Sequence, residues 1–101
     1  DRATLVRELR DGRLENVYRL QIMNTTEHAR QFTVTASGID GVELVANLPV
    51  AVPAANAVTL PVALRVDPTR TTAGSHPVRF HVEDSADATV AAHEKSIFYV
   101  R

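Results

Sequence analysis

Residues 58–66 read Val58-Thr59-Leu60-Pro61-Val62-Ala63-Leu64-Arg65-Val66. Every even position is a large aliphatic, and every odd position is small, polar or proline. A period of two carries Val58, Leu60, Val62, Leu64 and Val66 to one face of an extended strand. A helix would scatter these side chains around its axis and bury Pro61 in its interior at a cost of about 3 kcal/mol. The stretch therefore reads as a β-strand with one face in a core, where each buried aliphatic contributes about 1.5–3 kcal/mol. Pro61 cannot donate to a ladder, so the strand is expected to be an edge there or to turn that nitrogen away from its neighbour.

Its expected partner is the segment 18–24, in a strand read over 14–23 that points Tyr18, Leu20 and Ile22 one way and Val17, Arg19, Gln21 and Met23 the other. A short alternating segment at 4–9 precedes it, joined through Arg10-Asp11-Gly12-Arg13. Asp-Gly between two extended runs predicts a hairpin with a type I′ turn. After Asn24-Thr25-Thr26-Glu27-His28, a turn by its chemistry, residues 31–36 alternate again with Phe32, Val34 and Ala36 inward. Weaker strands are read at 42–45 and 49–52, and a loop at 67–75. Residues 77–83 place Val78, Phe80 and Val82 inward, and a last strand over 89–100 is anchored by Phe98 and Val100. Seven or so short strands, with no helical period, predict an all-β, immunoglobulin-like antiparallel sandwich. The cystine pair and core Trp of antibody domains are missing, which favours the broader architecture.

The chain has 101 residues, 45% of them hydrophobic. That is one domain, with enough apolar surface for a core without metal or disulfide. A net charge of −1 gives no electrostatic case for nucleic acid or an anionic membrane. With no cysteine in the chain, disulfides, thiolate zinc sites and iron–sulfur ligation within it are excluded. No apolar run approaches the roughly 20 residues of a membrane helix. A first residue of Asp1 rather than Met reads as a domain excised from a larger protein.

Residues of catalytic or ligating type are few. His81 and His93 fall on the outward face of the last two strands. In one register of those strands the imidazoles stand directly opposite, within reach of a single metal ion; a shift of two residues separates them. The expectation is two solvated histidines and no tight metal site, with His81, His93 and the lone thioether of Met23 as the candidate ligands. Ser75-His76, and His93 with Ser96, are the pairings that could suggest nucleophilic catalysis. No motif supplies the orienting carboxylate, so no catalytic residue is expected. Asn24-Thr25-Thr26 matches a glycosylation acceptor, but a turn role explains Asn24 better. Asp40 and Asp67 lie in loops without calcium-loop spacing.

Four stretches, taken in order, carry a resemblance: Arg7-Glu8-Leu9-Arg10-Asp11-Gly12-Arg13-Leu14-Glu15-Asn16-Val17-Tyr18, Leu20-Gln21-Ile22-Met23-Asn24, Gly74-Ser75-His76-Pro77-Val78-Arg79-Phe80 and Glu94-Lys95-Ser96-Ile97-Phe98. Gly38-Ile39-Asp40-Gly41 and Leu60-Pro61-Val62 fall between them. Nearly the whole chain resembles the C-terminal immunoglobulin-like domain of the FixG/CcoG family, accessory proteins of cbb-type cytochrome c oxidase in bacteria. The resemblance implies a larger membrane protein, with transmembrane helices and a ferredoxin-like segment carrying two 4Fe-4S clusters ahead of this domain. It also implies a role for the parent in copper handling, as a reductase of cupric ion, during oxidase assembly.

In this light the chain is a non-catalytic, periplasmic interaction or stabilising domain with no cofactor of its own. Its partners would be oxidase-assembly proteins or other domains of the parent, at the periplasmic side of the inner membrane. Arg2 and Arg7, near the expected membrane junction, run against the positive-inside tendency. The loops 25–29, 38–41 and 67–75 are the expected contact surface. Two other readings stand beside this one: a copper-relay domain using the surface histidines, and an unrelated adhesin-type or carbohydrate-binding sandwich.

Overall fold

The computed structural model describes residues 5–101. The expected start of the first strand at Thr4, and Arg2, lie outside the described residues. Eight strands follow in order: β1 (Leu5–Glu8), β2 (Leu14–Asn24), β3 (Arg30–Ser37), β4 (Glu43–Val45), β5 (Val50–Val52), β6 (Asn56–Val66), β7 (Gly74–Asp84) and β8 (Ala91–Val100). They form two antiparallel four-stranded sheets, β1-β2-β6-β4 facing β5-β3-β7-β8. This is the all-β, immunoglobulin-like sandwich that the alternation predicts.

The pairing of β2 with β6 is the spine. Eleven partners run from Leu14 opposite Val66 to Asn24 opposite Asn56. Leu60, Val62, Leu64 and Val66 are buried with Tyr18, Leu20 and Ile22, facing Phe32, Val34, Val78, Phe80 and Phe98 of the other sheet. The Tyr18 and Phe80 rings meet edge-on, centroids 5.1 Å apart. Val58 is half-buried rather than buried. It sits near the end of the ladder, opposite Ile22. Pro61 lies where β6 has β2 on one side only, since β4 covers β6 from Ala63 to Arg65. The ladder thus loses no bond on that uncovered side.

Several boundaries differ from the alternation. The Asp11-Gly12 hairpin is not type I′. Gly12 N–H bonds the Leu9 carbonyl at 3.0 Å, closing a turn whose central residues are Arg10 and Asp11. Only Gly12, at φ +88°, is left-handed there. That is a three-residue loop with a bulge at glycine, stabilised by the Asp11 carboxylate accepting the Arg13 N–H at 3.0 Å. The expected loop at 67–75 contains a 3-10 turn, Pro68–Arg70, with Asp67 accepting the Thr69 N–H at 2.9 Å. β7 then starts at Gly74, so Ser75 is in a strand. The last strand begins at Ala91 rather than Thr89. The Asp87 carboxylate holds both the Thr89 N–H and hydroxyl, shaping a turn instead of a strand.

Candidate functional site

Side chains of β2 bridge the two sheets where β2 lies across from β8. The inward phase of β2 runs Leu14, Asn16, Tyr18, Leu20, Ile22, Asn24, so two polar residues occupy core positions. Asn16 is fully buried. Its amide donates to the Tyr99 carbonyl at 3.2 Å and accepts the Tyr99 N–H at 2.9 Å. The Tyr18 hydroxyl donates to the Ile97 carbonyl at 2.8 Å, and burial pushes its ionisation well above the usual phenol range. These side chains close the outer edge of β8 from across the sandwich.

Further along β2, Asn24 reaches the other sheet at the Val52 carbonyl, 3.1 Å away. β1 pairs with β2 only as far as Val17, so among the described residues no strand covers that edge of β2 further along. β8 likewise ends its sheet. A cleft of about 370 Å³ opens between residues 21–26 and 90–94. Phe32 and Val82 help line it, and the exposed Met23 stands at its rim. The Tyr99 and Ile97 backbone groups point away from β7. The alternation of an antiparallel ladder therefore turns the polar backbone groups of His93 and Ala91 the same way, toward the cleft.

The end of the sandwich beside the cleft is held by two polar hubs. Asn24 is buried, and its amide nitrogen donates to the carbonyls of His28, Val52 and Pro53 at 2.8, 3.1 and 3.2 Å. Its oxygen accepts the Thr26 N–H and hydroxyl at 3.0 and 2.6 Å. With its amide so engaged, Asn24 holds the turn and offers no nitrogen to a glycan. Asp84 takes a 2.7 Å ion pair from Arg30 and the Ala86 N–H at 2.7 Å. The Arg30 bond is the main reason its carboxyl is held below the usual range.

The predicted site residues are partly brought together. His81 and His93 are direct partners in the β7–β8 ladder. Nδ1 of His81 lies 3.4 Å from Nδ1 and 3.3 Å from Nε2 of His93, and Nε2 of His81 is 3.0 Å from Glu83 Oε1. Met23 is on the other sheet, across the cleft. Ser96 is buried in the core phase of β8 while His93 is in the outward phase, so that pair faces opposite sides of the sheet. His76 turns from Ser75 to donate its Nε2 proton to the Thr72 carbonyl at 2.6 Å.

The expected contact loops lie at the two ends of the sandwich. Residues 25–29 lie at the cleft end, whereas 38–41 and 67–73 lie at the opposite end with the β1–β2 hairpin. At that far end the loops are tied to each other. Arg70 pairs with Asp40, Asp67 caps the 3-10 turn, and Ile39 is buried.

One cluster has no counterpart in the sequence reading. Arg7, Glu15 and Arg65 are consecutive partners across β1, β2 and β6. Both guanidinium groups bond the buried Glu15 carboxylate, at 2.7 and 2.9 Å. Burial alone would raise the Glu15 carboxyl, but the bonds from Arg65 and Arg7 outweigh it and hold it below its usual value. Glu15 sits in the outward phase of β2, and its burial comes from neighbours that only the register identifies.

Comparison with known proteins bears on the whole chain. A protein-family model described as "IG-like fold at C-terminal of FixG, putative oxidoreductase" matches residues 1–101. The crystal structure of a FixG-related protein from Vibrio parahaemolyticus superposes with a TM-score of 0.79 at 20% identity, covering 96% of this chain and 94% of that one. At that identity the likeness is one of fold. No curated protein matches the chain.

Proposed function

Because the chain belongs to the family of immunoglobulin-like folds at the C-terminus of FixG, we propose that it serves a larger iron–sulfur membrane protein as its binding module and performs no redox step itself. The single observation that carries this reading is the cleft between β2 and β8. It has an apolar interior, a strand edge turned toward it, and an end fixed in place by Asn24 and Asp84. That combination suits an extended segment of a partner protein, which would add a strand to β8 and set alternate side chains against Phe32 and Val82. Main-chain bonds to the edge supply affinity, and the cleft selects the side chains.

The four-iron clusters expected of the parent do not fit this chain. Such clusters are held by cysteine thiolates, and none of the 101 residues is cysteine. The reduction of cupric ion therefore belongs to the parent's other segments. In this reading the module lies on the periplasmic side of the inner membrane and engages a protein of cbb-type oxidase assembly. The family match sets aside an unrelated adhesin or carbohydrate-binding sandwich.

Deleting residues 1–101 from the parent tests the separation of binding from chemistry. The expected result is a parent with its full iron content and normal cluster spectra by electron paramagnetic resonance, together with reduced oxidase assembly. Loss of the clusters from a stably produced deletion would overturn it.

A further inference from the structure

From the facing histidines on the outer surface of the β5-β3-β7-β8 sheet, we propose that His81 and His93 form a chelate for one divalent transition-metal ion that accepts tetrahedral nitrogen ligation, with Glu83 as the positioning residue. The register makes the two rings direct partners, so their spacing is fixed by the ladder rather than by a loop. Nδ1 of His81 is 3.4 Å from Nδ1 and 3.3 Å from Nε2 of His93. Two metal–nitrogen bonds of about 2.0–2.1 Å, opened to the tetrahedral angle, place their nitrogens about 3.3–3.4 Å apart. The nitrogen spacing matches the bite of the ion, and a turn of the exposed His93 ring aims one of its nitrogens at the metal.

A second observation sets the proton arrangement. Glu83 Oε1 lies 3.0 Å from His81 Nε2. A carboxylate there holds the ring proton on Nε2 and leaves the Nδ1 lone pair facing His93, the arrangement that orients metal-bound histidines. When the ion binds, His93 takes the neutral tautomer that frees its ligating nitrogen. Both lone pairs then point at the metal, and no net proton is released.

The donor set limits which ions the pair can hold. Two neutral imidazoles are poor ligands for an ion held mainly by charge, such as Mg²⁺, and they retain one with a strong preference for imidazole. Two protein ligands leave the remaining positions to water or to a side chain from a partner, which puts the affinity in the micromolar range.

The test is a titration of the 101-residue chain with Zn²⁺ alone, followed by calorimetry and by the imidazole resonances in NMR spectra. One ion per chain is expected, with shifts at His81 and His93 and none at His28 or His76, and no response to Mg²⁺. His81→Ala and His93→Ala should each abolish the response. Glu83→Ala should weaken it about tenfold. Glu83→Gln should restore it, because the amide oxygen still accepts the Nε2 proton; a merely structural role for Glu83 would not show that rescue in the ring nitrogen shifts. Absence of shifts at His81 and His93 in the unmodified chain at millimolar Zn²⁺ would overturn the proposal without recourse to any variant. Binding that survives in the double alanine variant would overturn it equally.

Discussion

Replacing Asn16 by alanine probes the bridge on which the open side of the sandwich depends. The side chain is fully buried and serves both polar groups of the Tyr99 backbone, the N–H at 2.9 Å and the carbonyl at 3.2 Å. Removing it leaves a donor without a partner at a buried edge, which costs about 1–3 kcal/mol, and it loses a second bond to the carbonyl. The sum expected is about 2–4 kcal/mol, a substantial share of the roughly 5–15 kcal/mol that a small domain has. With a urea slope of about 2 kcal/mol per molar, the unfolding midpoint should fall by about 1–2 M. Native-state hydrogen exchange supplies the local readout: the Tyr99 amide should lose protection ahead of amides in the β2–β6 ladder. Tyr18→Phe, which removes one hydroxyl donor and leaves the Ile97 carbonyl its other lone pair, should cost about 1 kcal/mol. An Asn16→Ala midpoint within error of the parent chain, or an unchanged Tyr99 amide, would refute this account of the bridge.

Three further outcomes follow from the same coordinates. Leu64→Ala, at a fully buried position, should destabilise by about 2–5 kcal/mol in urea unfolding, and Val58→Ala, half-buried, by clearly less. Gly38 has φ +121°, and a Cβ there would sit 2.5 Å from the Pro77 carbonyl oxygen; Gly38→Ala should therefore cost more than about 1 kcal/mol, read as a fall in melting temperature. The Glu15 carboxyl is held below its usual value of 4.5. Its contribution is thus fully present above that pH and is lost as pH falls through the folded-state value. Glu15→Gln should cost about 1.5–3 kcal/mol at pH 7 and flatten the acid limb of a stability-versus-pH curve.

Much of the fold is legible in the alternation because one face of each strand meets the core. Val58 to Val66 and Tyr18 to Ile22 declare their inward faces, and the resulting register buries Leu60 and Leu64 as expected. Polar residues are harder to place. Asn16 and Asn24 stand in the inward phase of β2, a signal that marks them as structural once the phase is taken seriously at polar positions. Glu15 carries no such signal. Its outward phase predicts exposure, and only the partners that pairing places beside it, Arg7 and Arg65, remove it from solvent. The juxtaposition of His81 and His93 is likewise one of several registers that the sequence permits. The cleft depends on where β8 begins, and strand ends are set by turn contacts such as Asp87 with Thr89 rather than by periodicity.

The binding role is tested most directly by a single charge in the cleft. Ala92 lies at its wall, exposed and outside the core. Ala92→Arg, introduced into the full-length parent, should leave the domain's unfolding midpoint and the parent's cluster spectra unchanged. The measurement is the amount of assembled oxidase in cells producing this variant. The account predicts that it falls to the level seen when residues 1–101 are deleted. Assembly at the unmodified level, with the variant stably produced, would contradict the claim that the cleft between β2 and β8 is where this domain acts.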